Sequence, residues 1–186
     1  MIGLERFSDG YYEIVHLTKK VDVSGFASKK GYGLERYIKV HALNDEETKM
    51  ARTYLVLDSA TKQIAAYFTL RTGLITVSRG LFKGFDAYTG IELANFAVND
   101  SYREVNKVIP RFGAYIFNQF ILPLTMEITK YVGAAYLYIF ALPDNKLMAH
   151  YETMGFSHTS EKMRRFIYSH VKPAYDEGCT FMWQKL

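Results

Sequence analysis

Cysteine and metal-binding patterns are what this sequence most clearly lacks. One cysteine, Cys179, stands among 186 residues, which excludes an intramolecular disulfide and predicts a protein of a reducing compartment, the cytoplasm. The five histidines are scattered and show no HExxH or paired-ligand spacing, so no metal cofactor is predicted. Because cysteines outside disulfides are usually buried, we expect Cys179 in the core near the C-terminal strand.

Long apolar runs and several enzyme motifs are also missing. The most apolar window, 115–126, contains Asn118, Gln119 and Pro123 and is shorter than the ~20 residues that a membrane helix needs. Residues 1–6 carry charges where a signal peptide has its apolar run. Neither GxSxG nor GxxxxGK[ST] occurs, so hydrolase and nucleoside-triphosphatase functions lack support. We predict no membrane segment and no secretion.

Aromatic residues and a mild excess of positive charge are what the sequence does contain. Aromatics make up 16% of the chain, and we expect most of them in the core. The net charge of +4 permits an anionic partner, such as a nucleotide cofactor or RNA, and it equally fits an ordinary solvated surface. Hydrophobic residues at 49% and charged residues at 23% are typical of a globular protein, and we predict a single domain over residues 1–186.

The N-terminal half predicts strands and one amphipathic helix. Residues 11–18 are aromatic and β-branched enough to form the first strand, and apolar residues from Leu34 onward recur at helical spacing. Two further strands, 52–57 and 63–72, are separated by a short polar linker, which predicts a hairpin. Residues 73–89 contain several glycines and predict an irregular segment, which we interpret as a mobile loop on the substrate side.

The C-terminal half predicts a strand, a loop, a helix, a second strand and a short helix. The first strand, 90–99, is nearly all apolar, and the helix after it begins near Gly113. The second strand, 134–142, precedes the short helix. A turn at 172–178 and a last strand at 179–186 close the chain. The predicted elements are antiparallel hairpins in the N-terminal half and a strand–helix–strand unit in the C-terminal half. This order predicts an α/β or α+β fold built on one mixed sheet.

The short helix after the second strand carries the most specific motif. It ends in HYETMGF, where Tyr151, Gly155 and Phe156 resemble the FYxxxGF pattern that members of the GNAT acyltransferase superfamily often carry at this place. The N-terminal sequence GYGLERYIKVHA, followed by RTYLVLD and IAAYFTL, is similar to a bacterial GNAT branch that includes toxin-type acetyltransferases acting on charged tRNA. The resemblance covers about residues 24–186.

This resemblance implies both a fold and an activity. The fold would be the GNAT fold, a central mixed and largely antiparallel sheet flanked by helices. The activity would be N-acetyl transfer from acetyl-CoA, without a metal, to an amine acceptor that is a small molecule, a protein or an aminoacyl-tRNA. The N-terminal resemblance and the basic pI favour charged tRNA, whereas Glu92 favours a small amine or a protein lysine. Family analogy also implies a homodimer and a small antitoxin partner.

The resemblance assigns the first candidate cofactor residues to the central strand. In such enzymes this strand separates from its neighbour, and its backbone groups pair with the pantetheine arm of acetyl-CoA. The corresponding residues are Asn95, Phe96, Ala97 and Val98. Asp144 and Asn145 are expected to cap the short helix, and the resemblance also assigns Asn145 to the pantetheine arm.

A second set of candidate cofactor residues lies at the start of the next helix, where amides and the helix dipole favour a pyrophosphate. The family pattern there is Q/RxxGxG/A, whereas this chain has one glycine and then Tyr115. The residues that match are Arg111, Phe112, Gly113 and Ala114. The incomplete pattern leaves a second class of function open, a non-catalytic GNAT-like binding module whose pyrophosphate loop no longer holds CoA.

Tyr151 and Glu92 are the candidate catalytic residues. Tyr151 would act as general acid and return a proton to the leaving thiolate of CoA. The alternative is a tyrosine that packs beside the cofactor cleft without transferring a proton. Glu92, in ELANFAV, resembles the glutamate that takes a proton through water in the histone-acetylating branch, and it falls on an otherwise apolar strand face. The alternative is a solvent-facing glutamate at a strand end marked by Gly90.

Overall fold

Among the residues that the structure describes, seven strands form one mixed sheet. The computed structural model describes residues 7–29, 31–79, 84–170 and 179–186. The strand order is β1-β2-β3-β4-β5-β7-β6. The strands are β1 (Tyr12–His16), β2 (Arg52–Asp58), β3 (Ile64–Ser78), β4 (Phe85–Val98), β5 (Tyr136–Ala141), β6 (Ser157–His158) and β7 (Thr180–Lys185).

Helices connect these strands, and two of the helical stretches contain a wide π turn. The first runs from α1 (Tyr32–Arg36) through the π turn Tyr37–His41 into α2 (Ala42–Glu47). The second runs from α4 (Phe112–Ile116) through the π turn Phe117–Ile121 into α5 (Leu122–Thr129). The remaining helices are α3 (Asp100–Val105), α6 (Asn145–Thr153) and α7 (Glu161–His170). Within the described part of the chain, none of these helices has the length and apolar character of a membrane span.

Antiparallel pairing dominates the sheet, and β4 with β5 is the parallel pair. β2 pairs antiparallel with β1 and β3, and β7 does so with β5 and β6. The Asn99 amide donates to the Ala65 carbonyl at 2.9 Å, and the Arg79 amide donates to the Gly84 carbonyl at 3.3 Å. These two bonds tie opposite ends of β3 and β4 together, so these strands are also antiparallel. The predicted mixed, largely antiparallel sheet is therefore confirmed.

The chain divides into two compact units, and the first contains the N-terminal strands. Its described residues fall within Met1–Arg71 and Ala94–Leu124. A buried cluster around Phe26, Ile38 and Tyr67 forms its core. The Tyr67 ring is fully buried, and its hydroxyl donates to the Leu34 carbonyl at 2.7 Å, so the one polar atom of this ring is satisfied.

Asn99 fixes the end of β4 within the first unit. Its side chain is buried, and its Oδ1 accepts from the amides of Ala27 and Ser101, both at 3.1 Å. Its Nδ2 donates to the Ile64 carbonyl at 2.7 Å. One side chain therefore joins the loop before α1, the start of β3 and the start of α3, for which Asn99 is the N-cap.

The second unit is organised around Tyr138 on β5. Its described residues fall within Thr72–Leu93 and Thr125–Leu186. Tyr138 is buried with Ile167 of α7 and Phe181 of β7. A Cβ at Gly90 would lie 3.1 Å from the Tyr138 ring, and a Cβ at Gly73 would lie 1.8 Å from its hydroxyl. The Tyr138 side chain thus crosses β4 and reaches β3, and both of these strands need glycine where it passes.

The irregular segment predicted at 73–89 is wrong for the residues that the structure describes. β3 continues to Ser78 and β4 begins at Phe85, while residues 80–83 lie outside the described residues. Gly73 and Gly90 suggested breaks in the chain, but they lie inside strands because Tyr138 fills the space above them. Accordingly, Gly90 does not mark the start of β4.

Most other predicted elements are confirmed with small shifts in their ends. The hairpin of β2 and β3, the helix beginning near Gly113 and the strands β5 and β7 all form. Cys179 is buried, with 4% of its surface exposed, as predicted. The predicted turn at 172–178 lies outside the described residues.

Candidate active site

Tyr151 lies on α6, whose two ends are closed by local hydrogen bonds. At its start, the Asp144 carboxylate accepts from the Leu147 amide at 2.9 Å, so Asp144 is the N-cap, as predicted. At its end, the Phe156 amide donates to the Tyr151 carbonyl at 3.2 Å and the Gly155 amide donates to the Glu152 carbonyl at 3.0 Å. This pair of hydrogen bonds is a Schellman motif, and Gly155 adopts the positive φ of 92° that the motif requires.

The spacing of the motif YETMGF follows from this helix end. A Schellman motif brings the third-last helical residue against the second residue beyond the cap, and these positions are Tyr151 and Phe156. Their rings pack edge to face with centroids 5.6 Å apart. Tyrosine, glycine and phenylalanine at these positions therefore stabilise the helix end, whatever the hydroxyl of Tyr151 does.

The Tyr151 hydroxyl itself is held in its neutral form. The side chain is half-buried, and burial raises its pKa to about 12. Among the described residues no group hydrogen-bonds to this hydroxyl. At neutral pH Tyr151 is accordingly a phenol whose O–H is available to a substrate atom.

Glu92 is buried in the interior of β4, which overturns its alternative as a solvent-facing glutamate. Only 4% of its surface is exposed, and β4 begins at Phe85, seven positions earlier. Glu92 is the ladder partner of Tyr138, in the last of three parallel pairs between β4 and β5. A buried carboxylate on this strand face needs partners or a protonated form, which makes Glu92 a candidate functional group.

The candidate pantetheine residues follow Glu92 on β4. The three ladder pairs with β5 involve Gly90, Ile91 and Glu92, and residues 95–98 come after the last of them. Ala97 is buried in the core cluster of the first unit, whereas its neighbours in 95–98 are partly exposed. Their role in holding a cofactor stays a prediction.

The helix start at α4 offers backbone amides without a side-chain cap. Arg111 precedes it in the left-handed region, with φ 55° and ψ 44°, and its side chain is exposed. The first intrahelical bond runs from the Tyr115 amide to the Arg111 carbonyl at 3.0 Å. The amides of Phe112, Gly113 and Ala114 come before it, in the positions where a helix has no internal acceptor for its donors.

The sequence departs from the GNAT pattern at Tyr115. Its side chain contacts β1 and Asp9, which precedes β1. Its hydroxyl donates to the Asp9 carboxylate, and its ring packs on Tyr12 and Phe112 with centroids 6.0 and 6.2 Å apart. Burial and the bond to Asp9 raise its pKa. The bulky residue at this place thus contributes to the packing of the first unit.

The remaining candidate, Asn145, is the first residue of α6 and is exposed. The expectation that it caps this helix together with Asp144 is wrong, because Asp144 alone accepts the capping bond. Its assignment to the pantetheine arm stays a prediction. No cluster of three or more His, Cys, Asp or Glu side chains within 7–29, 31–79, 84–170 and 179–186 is arranged to bind a metal ion.

The predicted site residues divide between the two units. The first unit contains both cofactor sets, residues 95–98 and the start of α4, and the second contains Tyr151, Glu92 and Asn145. Sequence reasoning missed Asn99 and Tyr138, the side chains that position β4 within their units. The signal for Tyr138 was present in two glycines inside strands, because interior strand glycines often mark a close approach by another group.

Solved structures resemble this chain along most of its length, whereas no family model and no curated protein matches it. AtaT complexed with acetyl-methionyl-tRNAfMet gives a TM-score of 0.66 at 16% identity, covering 94% of each chain. A tyrosine-to-phenylalanine mutant of the AtaT toxin, bound to the C-terminus of the antitoxin AtaR and acetyl-CoA, gives 0.64 at 17% identity over 94% of this chain and 92% of that chain. This chain adopts the GNAT fold.

A third solved structure, of a protein other than AtaT, also resembles this chain. A tyrosine-to-phenylalanine mutant of KacT gives a TM-score of 0.67 at 17% identity over 94% of this chain and 95% of that chain. With identities this low, the GNAT fold is what the comparison establishes. The fold predicted from YETMGF and the strand order is thereby confirmed.

Proposed function

We propose that the protein is an acetyl-CoA-dependent N-acetyltransferase. The observation that carries this proposal is the shared fold over 94% of the chain with a toxin solved together with acetyl-CoA. The local geometry supports it, since α4 begins with three amides that precede the first intrahelical bond and α6 presents a neutral tyrosine. Acetyl-CoA would supply an activated thioester, and the protein would need neither a metal nor a covalent intermediate.

Two parts of the first unit would hold the cofactor. The amides of Phe112, Gly113 and Ala114 would bind the pyrophosphate, because the N-terminal end of a helix attracts anions. Arg111 would add a charge-assisted hydrogen bond to a phosphate oxygen. Residues 95–98 would pair through their backbone with the pantetheine arm and orient the thioester carbonyl.

Tyr151 would handle the proton of the leaving thiolate. In the transfer an N–C bond forms, the C–S bond breaks, and the amine loses one proton while the sulfur gains one. A pKa of about 12 lies above the thiol range of about 8.5, so Tyr151 would not lose its proton permanently. It would donate a hydrogen bond to the sulfur as charge develops and pass its proton only as the amine proton replaces it.

For the acceptor we propose the α-amino group of an aminoacyl-tRNA. An α-amino group has a pKa of about 8, against about 10.4 for lysine, so a much larger fraction of it is neutral and nucleophilic at cellular pH. The match to AtaT complexed with acetyl-methionyl-tRNAfMet and the net charge of +4 support this choice. Glu92 would assist as a water-mediated base when the amine arrives protonated.

The acceptor proposal is tested by measuring binding and transfer at several salt concentrations. An RNA acceptor should lose affinity steeply as salt rises, because each phosphate contact releases counterions. A small amine or a lysine peptide should show little salt dependence. Acetylation of lysine peptides with no transfer to charged tRNA would contradict the aminoacyl-tRNA proposal.

The enzyme proposal itself is tested by calorimetry with acetyl-CoA. We expect saturable binding that survives Tyr151→Phe while acetyl transfer collapses. No binding at millimolar acetyl-CoA would favour the second candidate, a non-catalytic binding module, which the incomplete glycine pattern at Tyr115 supports.

We also propose a small antitoxin protein as a partner and a homodimer as the assembly. The first proposal is supported by the matched AtaT structure, which is bound to the C-terminus of the antitoxin AtaR. Co-expression with the neighbouring reading frame, followed by purification and sedimentation, tests both. A monomer that binds no product of that frame would contradict them.

A further inference from the structure

A cavity of about 420 Å³ lies within the second unit, between α7 and the sheet. We call it the α7 cavity. Tyr88 of β4, Tyr136 of β5 and Trp183 of β7 form its sheet wall, and Met163 and Ile167 of α7 lie on the opposite side. Its volume falls in the range of small-molecule sites, and its lining is mostly apolar, as such sites usually are.

The aromatic wall of the α7 cavity favours an apolar group over a cation. The Tyr136 ring packs edge to face on Tyr88 and on Trp183, with centroids 5.7 and 5.5 Å apart. The three rings therefore contact one another and form a continuous surface, not a cage that surrounds a charge. No Asp or Glu contributes to the lining among the described residues.

The α7 side of the cavity is adaptable. Met163 has an unbranched, polarisable side chain that adjusts to differently shaped apolar groups. Ile167 is 1% exposed and anchors the helix against the sheet. A rigid anchor beside a flexible methionine suits a site that accepts more than one large apolar group.

The rim of the cavity is polar and contains an unsatisfied group. His158, Thr159 and Ser160 line it at the junction of β6 and α7. Ser160 is engaged, since its hydroxyl accepts from the Met163 amide at 3.3 Å. The Thr159 hydroxyl is buried and makes no hydrogen bond within the described part of the chain. The rim thus gives the cavity one polar edge beside its aromatic wall.

The lining of the cavity adjoins both candidate catalytic residues of the same unit, Glu92 along β4 and Tyr151 along the chain. Its wall residue Tyr136 is the ladder partner of Gly90, and Glu92 follows two residues further along β4, about 7 Å away at strand spacing. Its rim begins two residues after Phe156, whose ring packs on Tyr151.

We propose that the α7 cavity binds a large apolar or aromatic group of the acceptor, next to the amine that is acetylated. This inference rests on the proposed function. In an aminoacyl acceptor the group is the amino-acid side chain, and the polar ester and amine lie toward the rim. Acceptors charged with leucine or phenylalanine are therefore preferred over those charged with glycine.

The preference is measured as kcat/KM with one tRNA charged with glycine, leucine or phenylalanine. We expect at least about tenfold higher values for the two large side chains, since even one methylene in an apolar pocket gives about tenfold discrimination. Val77 of β3 also lines the cavity, and Val77→Phe, which fills it, should lower the leucine and phenylalanine values toward that of glycine. Val132→Phe, at an exposed position outside the lining, should change none of them. Equal values in the unmodified protein, or an equal loss for every acceptor in Val77→Phe with acetyl-CoA binding unchanged, would overturn the inference.

A second measurement is independent of acetyl transfer. Trp183 is the single tryptophan of the chain and lines the cavity, so its fluorescence reports on occupancy. Phenylalaninamide and leucinamide should change its emission saturably, glycinamide should not, and Val77→Phe should abolish the response. A stronger response to lysinamide, or none to the two apolar amides up to their solubility, would overturn the apolar assignment. If no charged tRNA is acetylated at all, the proposed function fails while this titration still decides what the cavity binds.

Discussion

The candidate groups of the two units differ in chemical kind. In the first unit the candidate groups are mainly backbone atoms, the strand segment 95–98 and the amides of Phe112, Gly113 and Ala114. In the second unit they are side chains, the Tyr151 phenol and the Glu92 carboxylate. Each unit has an apolar core; in the first, Asn99 also bonds to the backbone of the Ala27 loop, β3 and α3, and in the second the core surrounds Tyr138.

This difference shows when a missing motif residue argues against function. Backbone donors are present whatever side chain their residue carries, so the start of α4 keeps its three amides although Tyr115 replaces a small residue. Side-chain chemistry has no such tolerance, because removing one oxygen from Tyr151 removes the function assigned to it. Substitutions in the second unit should therefore affect turnover, and those in the first should affect cofactor affinity.

Tyr151→Phe should give the largest effect. We expect turnover to fall by about a hundredfold or more, because general acid catalysis of this kind contributes about 10²-fold or more. Acetyl-CoA affinity and thermal stability should stay near those of the unmodified protein, since phenylalanine keeps the ring contact with Phe156. Tyr168→Phe, which removes the same atom from a half-buried tyrosine of α7, is the control and should leave turnover unchanged. Similar losses in both variants would contradict the role of Tyr151.

Glu92→Gln should show its effect mainly at low pH. If Glu92 takes a proton from an α-amino group with a pKa of about 8, kcat/KM should fall about tenfold or more near pH 6. The loss should shrink to about twofold near pH 9, where the amine is already neutral. The control is Glu161→Gln, which removes an exposed carboxylate paired with Arg164 at 2.8 Å. A loss of equal size across the pH range would show that Glu92 is structural.

Arg111→Gly should separate stability from affinity in the first unit. Arg111 occupies the left-handed region, which costs a non-glycine residue about 1 kcal/mol, so glycine should raise the free energy of unfolding by about that amount. Acetyl-CoA affinity should fall about tenfold, because a charge-assisted hydrogen bond to phosphate is lost. Arg111→Ala should lose the same affinity without the gain in stability. Unchanged affinity in both variants would remove Arg111 from the cofactor site.

Gly73→Ala should give the smallest change in function and a clear change in stability. The new Cβ would lie 1.8 Å from the Tyr138 hydroxyl, so we expect a loss of about 1–3 kcal/mol in denaturant unfolding. Adding Tyr138→Phe should recover part of this loss, because it removes the atom in conflict. A double variant that is no better than the sum of the two single variants would show that the conflict is relieved elsewhere.

Much of the fold could be read from the sequence, because its signals are local. The apolar strand β5, the cap Asp144 and the Tyr151–Gly155–Phe156 spacing each depend on a few adjacent residues. Local signals also produced the error at 73–89, where the glycines suggested a loop.

The parts that could not be predicted depend on contacts between distant segments. Tyr138 meets Gly73 from two strands away, and only the structure shows why that glycine lies in a strand. The burial of Glu92 depends on how far β4 extends toward its N-terminus, which the sequence of the strand did not reveal. The α7 cavity joins residues from five strands and one helix, and no single stretch of the sequence marks it.

The Schellman motif at the end of α6 has an evolutionary consequence. Natural selection on folding alone would keep an aromatic ring at position 151, a glycine at 155 and a phenylalanine at 156, because the ring contact and the positive φ stabilise the helix end. A single-base change from a tyrosine to a phenylalanine codon would therefore silence the proposed chemistry and leave a well-folded protein. If the proposed function is right, selection on folding alone would not remove such an inactive variant.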